Sequence, residues 1–184
     1  AIEKGMEFSS ALLTAAELMA VSARTAPKSK GSDAIEIKVL GPDELEPLAA
    51  EMEEIAASSG MKFFLRDAGN IRQSGACVLI GADGLSTLGL NCGACGHATC
   101  AEMKASVDIA PVDSLYKGPV CALRSADLGI AVGSAVKTAS ILNVDNRIMF
   151  SAGTAALALG LLPHSTIAFG IPLSVTGKSP YFDR

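Results

Sequence analysis

Gly75-Ala76-Cys77-Val78-Leu79-Ile80-Gly81 is short, apolar and closed by glycine at both ends. A strand with one wet face alternates polar and apolar residues, whereas an unbroken apolar run of this length is the pattern of a central strand, Ala76 to Ile80, covered on both faces. Two covering layers are then needed, and the sequence on either side supplies helices for them. Upstream, Glu3, Glu7, Ser10, Thr14 and Glu17 recur in steps of four and three against an apolar face of Phe8, Leu12, Ala15 and Met19, which predicts a helix running to about Ala23. Ala26-Pro27-Lys28-Ser29-Lys30-Gly31 breaks it, and Ala34 to Leu40 alternates apolar and polar residues as a half-wet strand does.

Asp43 and Glu46 read as a capping box opening a helix over about 44–58, with Pro47 in the first turn, where a missing N–H costs little. Glu51, Glu53 and Glu54 lie off its apolar stripe and read as a solvated face. Met61 to Ser74 predicts a third helix. Past the cysteine-rich stretch, Ser125 is placed to cap a helix through Leu142, in which Gly129 and Gly133 share one face. Arg147 to Phe150 reads as a short strand, Ala152 to Leu162 as a helix stopped by Pro163, and Thr166 to Ile171 as a last strand before a Gly/Pro-rich tail. The expectation is a single layered domain over residues 1–184, of α/β or α+β class.

Composition narrows the function classes. Hydrophobic residues make up 49% and charged ones only 18%, which excludes a disordered chain. With no Trp, six Phe and two Tyr, the core is built from aliphatic residues. The apolar excess asks for a covering partner, and a homodimer is expected. The net charge of -4 and the scattered basic residues leave no nucleic-acid footprint. The long uncharged stretch from Ile148 to Thr176 is cut by Pro163 and His164 and falls short of the ~20 residues of a membrane span. Glu3, Lys4 and Glu7 do not match the basic-then-apolar order of a secretory signal, so a cytoplasmic location is expected.

Five cysteines form an odd set, and three of them crowd into Asn91-Cys92-Gly-Ala-Cys95-Gly96-His97-Ala-Thr-Cys100, a C-x2-C-x4-C spacing. Disulfides are poorly served by this layout and metal is well served. An iron-sulfur cluster needs four thiolates around a compact core; a turning loop reaches three corners, and Cys121 from another element reaches the fourth. Gly93 and Gly96 let the backbone wrap closely and turn its N–H groups toward the inorganic sulfides. His97 to Cys100 reads as the opening of a helix through Lys104. Zinc on four thiolates is the alternative, although it usually takes two C-x2-C pairs and Cys121 has no near partner. Cys77, mid-strand, reads as core, His97 as a shield or cap of the site, and His164 as a loop residue.

The stretch Cys92-Gly-Ala-Cys95-Gly96-His-Ala-Thr-Cys100 resembles the four-cysteine [4Fe-4S] domain of Rnf-type electron-transport and corrinoid iron-sulfur proteins, although here the fourth cysteine lies farther on and is not followed by Pro. From Ala23-Arg24-Thr25-Ala26-Pro27 through Asp127-Leu-Gly-Ile-Ala-Val-Gly to Gly177-Lys178-Ser-Pro-Tyr-Phe-Asp-Arg184, the chain is similar to a family of uncharacterised prokaryotic proteins described as containing a ferredoxin domain. A further likeness is to nitroreductase-like flavoproteins, in Arg24 ahead of Ala26-Pro27, in Leu159-Gly-Leu-Leu-Pro163 and in Gly170-Ile-Pro172. That likeness implies a nitroreductase-like α+β fold into which residues 91–121 insert a cluster-binding segment. It also implies a homodimer with FMN at the interface, its phosphate met by Arg24, Lys28 or Lys30, and Lys178. The resulting expectation is an iron-sulfur redox protein with one [4Fe-4S] cluster on Cys92, Cys95, Cys100 and Cys121 and with FMN. The rival is a non-enzymatic, metal-stabilised interaction module of a larger complex. No catalytic residue stands out.

Overall fold

The computed structural model describes residues 8–109 and 114–182. The predicted start of the first helix and the last two residues of the tail lie outside them. The central strand is β2, Ala76–Ala82, and all seven of its residues are buried. It pairs antiparallel with β1 (Ile35–Leu40) on one side and with β4 (Ile167–Ser174) on the other, and a two-residue β3 (Asp145–Asn146) pairs with the end of β4, giving the order β1-β2-β4-β3.

Alternation along β2 sends side chains to two separate cores. Ala76, Val78, Ile80 and Ala82 face the layer of α1 (Ser9–Thr25) and α5 (Ala122–Ile141), where Leu12, Met19, Leu128 and Val132 complete one cluster. Cys77 and Leu79 face α2 (Pro42–Ser59), α3 (Phe63–Arg72) and α6 (Phe150–Ala158), where Leu48, Met52, Phe64, Ile71 and Met149 complete the other. The result is a mixed α+β architecture, a four-stranded antiparallel sheet between helical layers.

Glycine sets the spacing of α6 on the sheet. A Cβ at Gly153 would lie 2.0 Å from the Ala168 carbonyl oxygen, and one at Gly170 would lie 2.5 Å from the Ala152 Cβ. Only residues without side chains allow this approach.

Several predicted boundaries shift. The α2 N-cap is Gly41, with Pro42 opening the helix; the Glu44 carboxylate, not Glu46, accepts the Gly41 N–H at 3.0 Å. Pro47 therefore lies in the second turn, and Glu46 is free to join Glu53 around the Arg72 guanidinium, tying α2 to α3 at the surface. The long helix α5 begins at Ala122, a turn earlier than expected, because Ser125 does not cap it: its N–H and its hydroxyl both donate back to the Cys121 carbonyl. Arg147 to Phe150 is not a strand. Asp145 and Asn146 take the pairing with the end of β4, Met149 keeps one bridge to Gly170, and Phe150 already begins α6.

Among the described residues no helix is long and apolar enough to cross a membrane.

Candidate metal centre

Between β2 and α5 the chain leaves the sheet, and the base of this excursion is closed by one hydrogen bond, Cys121 N–H to the Gly84 carbonyl at 2.8 Å. Gly84 is pressed against its neighbours: a Cβ there would stand 2.6 Å from the Val120 Cγ1 and 2.7 Å from the Thr166 Oγ1. The Thr166 hydroxyl oxygen in turn accepts the Gly84 N–H at 3.0 Å. Cys121, the fourth cysteine of the candidate set, is thus pinned to the end of the central strand. It is the N-cap residue of α5 and is 7% exposed.

The other three sulfurs come from the excursion itself. Cys92 and Cys95 lie on a loop that turns through positive φ at Gly89 (67°), Asn91 (48°), Gly93 (73°) and Gly96 (87°), conformations that glycine adopts at least cost. Cys100 is the first residue of α4, Cys100–Ile109. That helix is opened by a capping box: Thr99 Oγ1 accepts the Glu102 N–H at 3.1 Å, and the Glu102 carboxylate accepts the N–H groups of Thr99 and Ala98. The Asn91 side-chain oxygen adds a cap by accepting the Cys100 N–H at 2.9 Å. Thr99-x-x-Glu102 was a readable signal that the cysteine spacing overshadowed.

All four cysteines border the same space. Cys92, Cys95, Cys100 and Cys121 line one pocket together with Thr87, Asn91, His97 and Met103. The backbone N–H of Asn91 faces the Cys100 sulfur, and those of Gly89 and Leu90 and the Thr87 hydroxyl add to it; the first of these contacts is the main cause holding the thiol below its ordinary value. His97 lies at the pocket edge with its Nε2 3.5 Å from the Ser106 hydroxyl. Cys77 has no part in it. It is fully buried on the far face of β2, and burial pushes its thiol up to about 12. His164 is an exposed loop residue whose N–H donates to Glu36.

Donor chemistry and backbone both fit an iron-sulfur cluster: thiols from three parts of the chain, a loop in glycine conformations, and N–H groups turned toward sulfur. Cys100 and Cys121 stand at helix N-termini, where the dipole favours an anionic group.

One feature beside the pocket had no sequence signal. Arg124, 1% exposed, forms a buried ion pair with Asp127 at 3.1 Å, and Asp127 also accepts the N–H and the hydroxyl of Ser29. Removing one partner of such a pair costs about 3–5 kcal/mol, because the other charge is left buried and alone.

The basic residues expected at a phosphate do not gather into one cradle. Arg24 donates to the Asp33 carboxylate and to the Ile35 carbonyl, both at 2.7 Å. Lys28 caps the end of α1 through the carbonyls of Ala23 and Arg24, and Lys30 reaches the Leu88 carbonyl at 3.4 Å. Lys178 lines a different cavity of about 680 Å³ with Arg66, Asn70 and Gln73 on the α3 side. Arg24 and Lys178 thus line different pockets of one chain.

The sheet and its helical layers have counterparts among solved structures. The structure is similar to a nitroreductase family protein from Clostridium novyi NT, with a TM-score of 0.56 at 14% identity over 88% of this chain and 73% of that one. It is also similar to nitroreductase CinD from Lactococcus lactis in complex with nicotinic acid, TM-score 0.57, 13% identity, 92% and 83% covered. An FMN-dependent nitroreductase from Clostridium difficile R20291 gives a TM-score of 0.52 at 14% identity, with 90% and 76% covered. At such identities the likeness establishes a nitroreductase-like fold.

In sequence, residues 117–184 match the family model described as "Uncharacterized protein containing a ferredoxin domain" (DUF2148). A protein of Archaeoglobus fulgidus, itself described as uncharacterized, is 51% identical over 170 residues, 92% of this chain and 90% of that protein. The chain belongs to this family of ferredoxin-domain-containing proteins. Of the four pocket cysteines, Cys121 lies inside the matched residues and the other three lie before them.

Proposed function

We propose that this protein is an iron-sulfur redox protein, acting in electron transfer or as a small oxidoreductase, with one [4Fe-4S] cluster held by Cys92, Cys95, Cys100 and Cys121. The observation that carries this reading is the convergence of the four cysteines on one pocket from a loop, a helix start and a second helix N-cap. Zinc draws its sulfurs to about 2.3 Å of one centre, whereas a cluster needs them spread around a wider core. When bound, the cluster supplies one-electron chemistry; the protein supplies thiolates, N–H groups aimed at sulfur, and a partly open face at Cys92.

Anaerobic purification tests this directly. A brown protein absorbing near 400 nm with about four irons per chain is expected; colourless protein with stoichiometric zinc would establish the rival structural module instead. Cys92→Ser, Cys95→Ser, Cys100→Ser and Cys121→Ser should each lose the cluster, since a hydroxyl stays protonated where a thiolate is needed, while Cys77→Ser keeps it.

The homodimer belongs to the same reading. Gly129 and Gly133 have open space where a side chain would be, and Leu18, Val21 and Ile130 stand exposed on the same α1–α5 layer. FMN at the interface of that dimer is supported by the fold, and its phosphate is assigned to Arg24, Lys28 or Lys30 of one copy with Lys178. Fluorescence quenching of FMN by the purified dimer tests it: saturable binding weakened about tenfold or more by Arg24→Ala plus Lys178→Ala is expected, and no saturable binding ends this part of the proposal.

A further inference from the structure

We propose that Arg124 is a positioning residue for the cluster, fixing the segment that donates hydrogen bonds to Cys100 and contributing a buried positive charge that raises the reduction potential. The inference rests on the cluster reading above and adds a residue to it. Arg124 follows Cys121 by three residues, one turn into α5. All five of its N–H donors are used: Nε on the Ser86 carbonyl at 2.6 Å, Nη1 on the Ser32 carbonyl at 2.7 Å and on Asp127, Nη2 on the Ser32 hydroxyl at 2.9 Å and on the Ser86 hydroxyl at 3.4 Å. Only the rigid fork of a guanidinium serves two loops and a carboxylate at once.

The grip on Ser86 is the consequential one. Ser86 is held at its carbonyl and at its hydroxyl, and the next residue, Thr87, lines the cysteine pocket and turns its hydroxyl to the Cys100 sulfur. Asn91, four residues further on, lines the same pocket and accepts the Cys100 N–H at 2.9 Å through its side-chain oxygen. Arg124 therefore sets, through Ser86, where the pocket-lining stretch from Thr87 to Asn91 stands relative to Cys100.

The direction of the effect follows from charge. The reduced cluster carries one more negative charge than the oxidised one, so hydrogen bonds to its sulfurs and a nearby cation both favour reduction. Asp127 opposes this from the other end of the ion pair. Arg124→Gln should thus lower the potential through both effects, Thr87→Val should lower it through the donor alone, and Asp127→Asn should raise it. Arg124→Lys keeps the charge but not the fork, and should fall between the wild type and Arg124→Gln. A residue that merely holds the fold together predicts no such opposition of sign.

The measurement is a spectroelectrochemical titration of the anaerobically purified full chain, with iron per chain determined on each sample. Opposite shifts for Arg124→Gln and Asp127→Asn, with Arg124→Lys intermediate, are expected. Cluster-loaded Arg124→Gln and Arg124→Lys that titrate at the wild-type potential would overturn the inference. Should Arg124→Gln fail to load, Thr87→Val and Asp127→Asn decide: opposite shifts uphold it, and no shift or the same sign in both refutes it. A wild type without iron or any redox transition would sink the cluster reading itself, which sets that failure apart from the others.

Discussion

Cys77 and Cys121 are both buried cysteines, one with an apolar strand on every side and one at the mouth of a pocket. Their chemistry should diverge accordingly. In the folded protein Cys77 should resist iodoacetamide at neutral pH and be alkylated only with denaturant, as mass spectrometry of digests would show, because burial both hides the sulfur and holds it protonated. Cys121 depends instead on a glycine. Gly84→Ala forces a methyl into Val120 and Thr166 and so displaces the residue before Cys121; the expected outcome is a loss of most bound iron with far-UV circular dichroism little changed. The grouping of Cys92, Cys95 and Cys100 at one pocket was legible because the loop and helix start that carry them are local in sequence. Arg124 was not legible, because its partners Ser86 and Ser32 are 38 and 92 residues away, and a lone Arg on an amphipathic stretch reads as surface.

Among the elements, α4 stands apart, with Met103 as its one buried residue. A ten-residue helix is marginal in water without packing, so α4 leans on its capping box and on Cys100. Hydrogen exchange should therefore be fast across α4 in cluster-free protein and slow markedly on reconstitution, while β2 exchanges slowly in both. Thr99→Ala removes a cap worth about 1 kcal/mol and should shift that local exchange without moving the global unfolding midpoint. Helices α1 and α2 were legible from their apolar stripes and the central strand from its unbroken apolar run. The stretch from Asp145 to Phe150 was not, since two residues of edge pairing and a helix start leave no pattern that outweighs the apolar run beside them.

For the molecule as a whole, two cores on either side of one sheet make the close contacts of α6 decisive. Gly153→Ala drives a methyl into backbone, which cannot swing aside, and should destabilise the fold by about 3 kcal/mol, read as a lower urea midpoint at unchanged slope. In the proposed homodimer the exposed apolar residues of α1 and α5 are covered by the second copy: light scattering should give twice the chain mass, and Ile130→Asp should shift it toward one. Layer composition was legible from the unbroken apolar strand, but the pairing order was not, because antiparallel partners far apart in sequence carry no local mark of each other.

The hydrogen bond from Cys121 to Gly84 brings the two ends of residues 85–120 together at the rim of the sheet. A stretch whose ends already touch is a detachable insert: lengthening or shortening it changes closure entropy only slowly. Such a stretch can be added or stripped in one event without redesigning the sheet beneath. Bridging Gly84 to Cys121 with a short Gly-Ser linker should give a smaller, iron-free protein that still unfolds cooperatively, less stable by the packing of Tyr116 and Val120 and by the Arg124 hydrogen bonds to Ser86 that leave with the insert; a chain that no longer folds would show the opposite, that the sheet depends on the insert.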